Sequence, residues 1–355
     1  MSRKVVPRLR YARTANRRRR TEVAGSLLAP IVLCAGLAVP AATAEPTASA
    51  PTAADGAHLS DTAAGAGRLH ELRVFSAAMN TEIALDVLPA ADRSAPAPVL
   101  YLLNGAAGGT DGSNWPDRTD VVDFFADKQV TVVVPQGGRA SYFTDWQADD
   151  PELGRQQWET FLTQELPPVI DGRFRGTGAN AIAGISMAGT SVFQLALAAP
   201  GLYRAVGSYS GCASTSDPLG QAVVAGVVAH WGGNPLHMWG PPSDPMWVAK
   251  DPYVQAERLR GTAIYVSTGN GAAGPLDTLD GPGVDGDIGT LASQLGTGGV
   301  IEAATNLCAH RLRDRLQQLA IPATFELRPH GTHSWGYWQQ DLHRSWPLFA
   351  AALNG

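Results

Sequence analysis

Apolar positions along the chain follow two periodicities. The segments ELRVFSA from Glu71 and EIALDVLP from Glu82 alternate apolar and polar residues, as half-buried antiparallel strands do, whereas PVLYLLNG from Pro98 and VTVVVPQGG from Val130 are unbroken apolar runs suited to strands covered on both faces. Between the last two, TDVVDFFADK has helical spacing, and so has WETFLTQELPPVID from Trp158. Then come the strand NAIAGIS, a helix beginning at Met187, and the strand YRAVGSYSG. The strands TAIYVSTGN and ATFELRPHG follow, with the helix AATNLCAHRLRDRLQQLA between them. Strand and helix alternate without an internal repeat, so the expected class is α/β: a mostly parallel central sheet with helices on both faces, spanning residues 68–355.

The first 44 residues do not fit that domain. Arg17 to Arg20 precede the apolar run AGSLLAPIVLCAGLAVPA, and Ala42-Thr43-Ala44 closes it with small residues. This pattern predicts an export signal cut after Ala44; Pro30 and Pro40 interrupt a stretch already short for a bilayer. Residues 45–67, rich in Ala, Pro, Thr and Gly, read as a flexible spacer. Without the signal the chain keeps 18 of its 27 basic and 31 of its 32 acidic residues, a net charge of −13. So acidic a protein is unsuited to nucleic acid, and no second apolar span follows to hold it in a membrane. In an oxidising compartment the two remaining cysteines, Cys212 and Cys308, are expected to form a disulfide, the alternative being two separate buried thiols.

The chemistry centres on GISMA. Ser186 sits on a turn between a buried strand and a helix, where its hydroxyl stands clear of the sheet and the next amide faces the place an oxyanion would form; the fifth position is Ala188 where G-x-S-x-G has glycine. A serine nucleophile needs a base, and the base an acid that orients it. His333, in HGTHSW after the last strand, is the expected base, with His330 its nearest rival; His230, His237, His310 and His343 lie in the insertion or on helices. For the acid the residues alone leave two choices, Glu302 at the head of a helix and the loop aspartates Asp277, Asp280, Asp285 and Asp287, whose spacing matches no calcium loop. Neither a metal nor a cofactor is called for. Between Cys212 and Thr262 lies an insertion rich in Gly and Pro, with Trp231, Trp239 and Trp247, read either as a cap over the serine or as an irregular excursion with its own aromatic cluster.

From about Leu72 onward, VLYLLNG, PQGGRASYFTDW, QQWETFLTQELP, GISMAGTS and GTHSWGYW occur in the order and spacing of the antigen 85 type mycolyltransferases, in the esterase D-like group of α/β-hydrolases, which the chain resembles. The resemblance implies an α/β-hydrolase fold with Ser186 as nucleophile, His333 as base and Glu302 as acid. It also implies an oxyanion hole from the backbone N–H groups of Ala106 and Met187, and Trp335 beside a sugar acceptor. The implied activity is secreted acyl transfer: a long-chain mycoloyl ester donor such as trehalose monomycolate, and a sugar or wall-polymer hydroxyl as acceptor. Carboxylester hydrolysis, and a wall-associated binding role without turnover, are the competing readings. The chain departs from the trehalose-using members at Asn104 and Ala107, where they carry an aspartate and an arginine that hold the disaccharide, and at Ser113, where they carry asparagine.

Overall fold

A computed structural model describes residues 56–64 and 67–355. The expected export signal over 1–44, and the spacer up to residue 55, lie outside the described residues. The described residues form one nine-stranded sheet in the order β1-β2-β3-β5-β4-β6-β7-β8-β9. The strands are β1 (His58–Ala64), β2 (His70–Ser76), β3 (Thr81–Leu88), β4 (Ala97–Leu103), β5 (Thr131–Pro135), β6 (Gly176–Ile185), β7 (Tyr203–Tyr209), β8 (Ala263–Thr268) and β9 (Thr324–Leu327). Strands β1 to β3 form an antiparallel meander whose last member pairs antiparallel with β5; the pairings from β5 to β9 are parallel. This is the α/β-hydrolase architecture expected.

Five helices matter for the site: α1 (Leu166–Phe174), α2 (Met187–Ala198), α3 (Pro218–His230), α4 (Gly299–Gln318) and α5 (Trp335–Asn354). Every residue of β4 and β5 is buried, because each successive side chain meets a different helical layer. Tyr101 and Leu103 pack with Phe161, Leu166, Phe193 and Leu312 on one face, while Leu100 and Leu102 pack with Trp115, Phe125, Leu342 and Phe349 on the other.

Two elements depart from expectation. Residues His58–Ala64, inside the expected spacer, add an antiparallel edge strand to β2, so the sheet begins before residue 68. Backbone pairing supplies what the segment lacks in large apolar residues: Leu59 packs on the core and the rings of His58 and Phe75 lie 5.4 Å apart. The extent of the terminal helix α5, implied only by His343, was not legible either, because it opens on Trp-Gly-Tyr-Trp and carries Pro347 inside it. Trp338, Leu342, Phe349 and Leu353 nevertheless recur at helical spacing and bury against the sheet, and that burial outweighs the local disadvantage of proline.

Candidate active site

Ser186 occupies the single position between β6 and α2, with φ 55° and ψ −123°. A non-glycine residue holds this region only when its surroundings enforce it, and here they do. The Ser186 amide donates to the Tyr209 carbonyl at 2.9 Å, and its carbonyl accepts from the Gly189 amide at 2.9 Å. Two glycines make the turn possible: a Cβ on Gly184 would lie 2.7 Å from the Ala188 Cβ, and one on Gly189 would lie 2.8 Å from the Gly211 Cα. The helix packs so tightly on the strand that the fifth position tolerates Ala188 only because Gly184 has no side chain.

The far end of the chain brings the imidazole. His333 sits in the loop before α5, and its Nδ1 lies 2.8 Å from Glu302 Oε2. Since a carboxylate only accepts, Nδ1 carries the proton and Nε2 is left as the basic nitrogen. Within the described residues Nε2 makes no hydrogen bond. Glu302, in the first turn of α4, is fully buried. Its Oε1 accepts from the Ser210 hydroxyl at 2.8 Å, the Thr268 hydroxyl at 3.0 Å and the Gly269 amide at 2.6 Å. The Trp338 indole N–H donates to the Ser210 hydroxyl at 2.9 Å, and its ring stands edge-on to His333 with centroids 4.9 Å apart. The carboxylate and the imidazole are thus both held by the same small network.

Ser186, His333 and Ala106 line one cavity of about 600 Å³, whose remaining walls come largely from α3 and α4 and are mostly apolar. A hydroxyl on an enforced turn, an imidazole held by a buried carboxylate and a mostly apolar cavity bordered by both hydroxyl and imidazole are an arrangement able to support acyl transfer through a serine.

Comparison with known proteins agrees. The Esterase family ("Putative esterase") matches residues 76–349. The chain belongs to this esterase family. It is 32% identical over 258 residues to the diacylglycerol acyltransferase/mycolyltransferase Ag85A of Mycobacterium leprae, covering 69% of this chain and 72% of that protein. To the Ag85B enzyme of Mycobacterium intracellulare it is 31% identical over 293 residues, covering 80% of this chain and 83% of the relative. Among solved structures, the crystal structure of Mycobacterium tuberculosis MPT51 (FbpC1) superposes with a TM-score of 0.67 at 24% identity, covering 81% of this chain and all of that one. FphF, a fluorophosphonate-binding serine hydrolase of Staphylococcus aureus, superposes with a TM-score of 0.59 at 18% identity, covering 82% of this chain and all of its own. The protein is therefore an enzyme of the serine-hydrolase type.

The other expected site residues of this esterase separate into two groups. Met187 is the first residue of α2, where its amide has no preceding helical carbonyl to bond, and Ala106 borders the cavity while its carbonyl accepts from the Ala140 amide at 2.9 Å. Cys212 and Cys308 form the expected disulfide, Cα atoms 5.1 Å apart, tying the segment after β7 to α4 two turns beyond Glu302. Asn104, expected at a substrate-binding position, is turned into the protein interior. It is completely buried, its amide donating to the Pro135 carbonyl at 3.2 Å and its carbonyl oxygen accepting from the Trp115 amide at 3.3 Å. Its uncharged side chain thus closes a backbone brace between the end of β5 and Trp115. Trp335 heads α5 and packs edge-on against Trp115 and Trp338, with centroids 5.6 and 5.2 Å away, and is not among the residues lining the cavity.

In the insertion, Trp239 and Trp247 are buried against one another and the core, 5.1 Å apart. Of the three tryptophans only Trp231 borders the cavity, so the cover over this part of the site is α3 and not an aromatic cap. Among the loop aspartates, Asp277 has a role the sequence did not reveal. Its Oδ1 accepts from the Gln294 side-chain amide at 2.6 Å and from the Thr332 hydroxyl, and its Oδ2 from the Gly274 amide at 2.7 Å and the Tyr337 hydroxyl at 2.9 Å. It ties the loop carrying His333 to the segment leading into α4. His330 forms no ion pair with a carboxylate among the described residues. Behind Glu302 lies a second buried pair, Arg328 with Asp341, and the Arg328 Nη2 is 4.0 Å from Glu302 Oε1.

Proposed function

We propose that this protein is an exported serine acyltransferase that moves long-chain, mycoloyl-type acyl groups from a sugar ester such as trehalose monomycolate to a hydroxyl of the cell envelope. The observation that carries the reading is that Ser186 and His333 border a cavity of about 600 Å³ whose walls are mostly apolar, suited to an acyl chain far larger than acetate. Its relatives named mycolyltransferases support the same substrate class. Export rests on the N-terminal 44 residues, and no helix among the described residues is long and apolar enough to cross a membrane.

In the proposed cycle His333 Nε2 takes the Ser186 proton as Oγ attacks the ester carbonyl, and Glu302 stays ionised and steadies the imidazolium. The amides of Ala106 and Met187 receive the oxyanion, a donor pair in which each member is worth about 10² to 10³ in turnover. Collapse of the tetrahedral adduct breaks the ester C–O bond, the imidazolium returns its proton to the departing sugar oxygen, and the acyl group remains on Ser186. An acceptor hydroxyl then repeats the sequence in reverse.

A second reading, hydrolysis, is favoured by one observation: the buried Asn104 and the neutral Ala107 stand where trehalose-using relatives hold the disaccharide, so water can compete as acceptor. Incubation with trehalose monomycolate separates the two. Dimycolate or polymer-bound mycolate supports transfer, whereas free mycolic acid as sole product makes the protein an esterase. Fluorophosphonate labelling that disappears in Ser186→Ala tests the nucleophile itself; a folded wild type that takes no label overturns both readings.

A further inference from the structure

A second pocket, of about 250 Å³, lies at the end of the sheet remote from Ser186. It is bordered by His70 at the head of β2, Thr131 at the head of β5, Asp92 and Arg93 in the loop before β4, and Arg173 and Arg175 at the end of α1. The strand β6 fixes its place. Arg175 immediately precedes that strand and Ser186 immediately follows it, so the 10 residues Gly176–Ile185, about 33 Å of extended chain, separate the two. No group at this pocket reaches the reacting atoms.

Its charge is not balanced from within. Among the described residues the guanidiniums of Arg93, Arg173 and Arg175 form no ion pair and donate no hydrogen bond, and that of Arg173 lies over the Phe174 ring, 5.1 Å from its centroid. The carboxylate at the pocket, Asp92, is turned to its own loop, where Oδ1 accepts from the Ser94 amide at 2.9 Å and the Ser94 hydroxyl at 2.6 Å. Those bonds hold its pKa below the ordinary value, and Arg175 contributes least to the shift. Arg68, bonded to the carbonyls of Pro89 at 3.0 Å and of Ala126, adds its charge behind the Pro89 wall. Thr131 is 1% exposed and borders the pocket, and its hydroxyl has no hydrogen-bond partner among the described residues. A buried hydroxyl left in that state calls for a ligand or water to bond it. Arg175 itself ends α1 at φ 56° and ψ 47°, the left-handed region in which helices commonly finish on glycine, so an arginine is held there at a cost that glycine would avoid.

Three unpaired cations around a pocket, in a chain that is acidic as a whole, define the complement. One guanidinium fork satisfies a planar carboxylate, whereas three forks arriving from two segments suit an anion with oxygens in several directions. We propose that this pocket is a phosphate-binding site, in which Arg93, Arg173, Arg175 and the Thr131 hydroxyl hold a phosphate group borne by a larger molecule. The volume leaves room beside the phosphate for a small polyol or sugar. A site so placed tethers the protein by the end of the sheet away from Ser186 and leaves the catalytic cavity free.

The test titrates the full chain with inorganic phosphate and with glycerol 1-phosphate at constant ionic strength, sodium chloride and sodium acetate serving as controls. Binding is read by calorimetry and by the NMR signal of the His70 imidazole. Burial first, then Arg93 and Arg173, hold the His70 pKa below its ordinary value; a phosphate among those guanidiniums favours the imidazolium and is expected to raise it, saturably. Arg173→Gln and Arg175→Gly are each expected to weaken phosphate binding roughly fivefold or more, with kcat on a short p-nitrophenyl ester unchanged. Arg175→Gly also separates binding from folding: glycine suits the left-handed turn, so the melting temperature should equal or exceed that of the wild type while affinity falls. A His70 signal that moves no further with phosphate than with chloride, an equal response to acetate, or unaltered affinity in both arginine variants overturns the site. Vesicles of phosphatidylglycerol in phosphatidylcholine identify the source of the phosphate, and either result upholds the site. Attachment that glycerol 1-phosphate competes away and R175G loses assigns a lipid headgroup; phosphate binding without attachment assigns a soluble or polymer-borne phosphate.

Discussion

The carboxylate of Glu302 and the imidazole of His333 meet at 2.8 Å although one opens a helix and the other sits on a loop 31 residues away. Because Glu302 Oε1 is saturated by three donors from the ends of β7 and β8, only Oε2 can serve the imidazole, and the acid has no freedom to rotate. Replacing Glu302 by Gln keeps the shape but presents an amide that can turn its NH₂ toward Nδ1, favouring the wrong tautomer. Loss of kcat by about 10³- to 10⁴-fold is expected, with little change in KM, measured on a short p-nitrophenyl ester. A loss below tenfold would remove Glu302 from the proposed triad.

Asp277 acts one step further back. Four donors from four segments converge on it, and one of them is the hydroxyl of Thr332, the neighbour of His333. In Asp277→Asn one or more donors must face an amide N–H, so the His333 loop loosens while Ser186 and the apolar cavity keep their positions. The expected result is a kcat lowered ten- to hundredfold at nearly constant KM, with fluorophosphonate labelling slowed in proportion. Equal kcat for wild type and variant, compared at temperatures equally far below their melting points, would reduce Asp277 to a structural brace.

How far this site could be read in advance depended on whether its parts were local. Ser186 was legible because strand, turn and helix are consecutive and Gly184 and Gly189 mark the close contact. His333 followed from the end of the last strand. Glu302 was not separable from the aspartates on the residues alone, because what distinguishes it is burial among Ser210, Thr268 and Gly269, three positions brought together only by parallel pairing of β7 with β8. The same applies to Trp338 and Arg328. The burial of Asn104 was hidden for the converse reason: a polar side chain on a strand end near Ser186 looks available, yet the turn at Gly109 folds over it and leaves it no exposed surface.

The disulfide gives a separable effect on stability and activity. Cys212 and Cys308 close a loop with a sequence separation of 96, for which loop-closure entropy gives about 4 to 5 kcal/mol and measured cases commonly fall at 2 to 5. Reduction should therefore lower the melting temperature by several degrees. Since Cys308 is on α4 with Glu302, turnover should fall at temperatures where circular dichroism still reports a folded chain. Complete reduction with unchanged kcat at 25 °C would show that the bond stabilises the fold without steadying the acid.

Asp341 supplies a pH dependence whose sign differs from that of an ordinary paired carboxylate. Burial pushes its carboxyl up to about 6, against the pull of Arg328 and with the charge of Glu302 adding to the rise. Because the folded-state value lies above the unfolded value of about 3.9, the folded protein binds this proton more tightly. The contribution is fully present below about 3.9 and is lost as pH climbs through about 6, amounting to a few kcal/mol at most. Urea unfolding of the wild type between pH 4 and pH 6.5 should contain this falling component, superimposed on the other titrations. Asp341→Asn, although less stable overall because Arg328 is left buried without its partner, should lack it, so the difference in stability between wild type and variant should narrow as pH rises across that window. A difference that stays constant from pH 4 to pH 6.5 would mean that Asp341 titrates in the folded state as it does in the unfolded chain, and that the Arg328 guanidinium behind Glu302 fully offsets the burial of its partner.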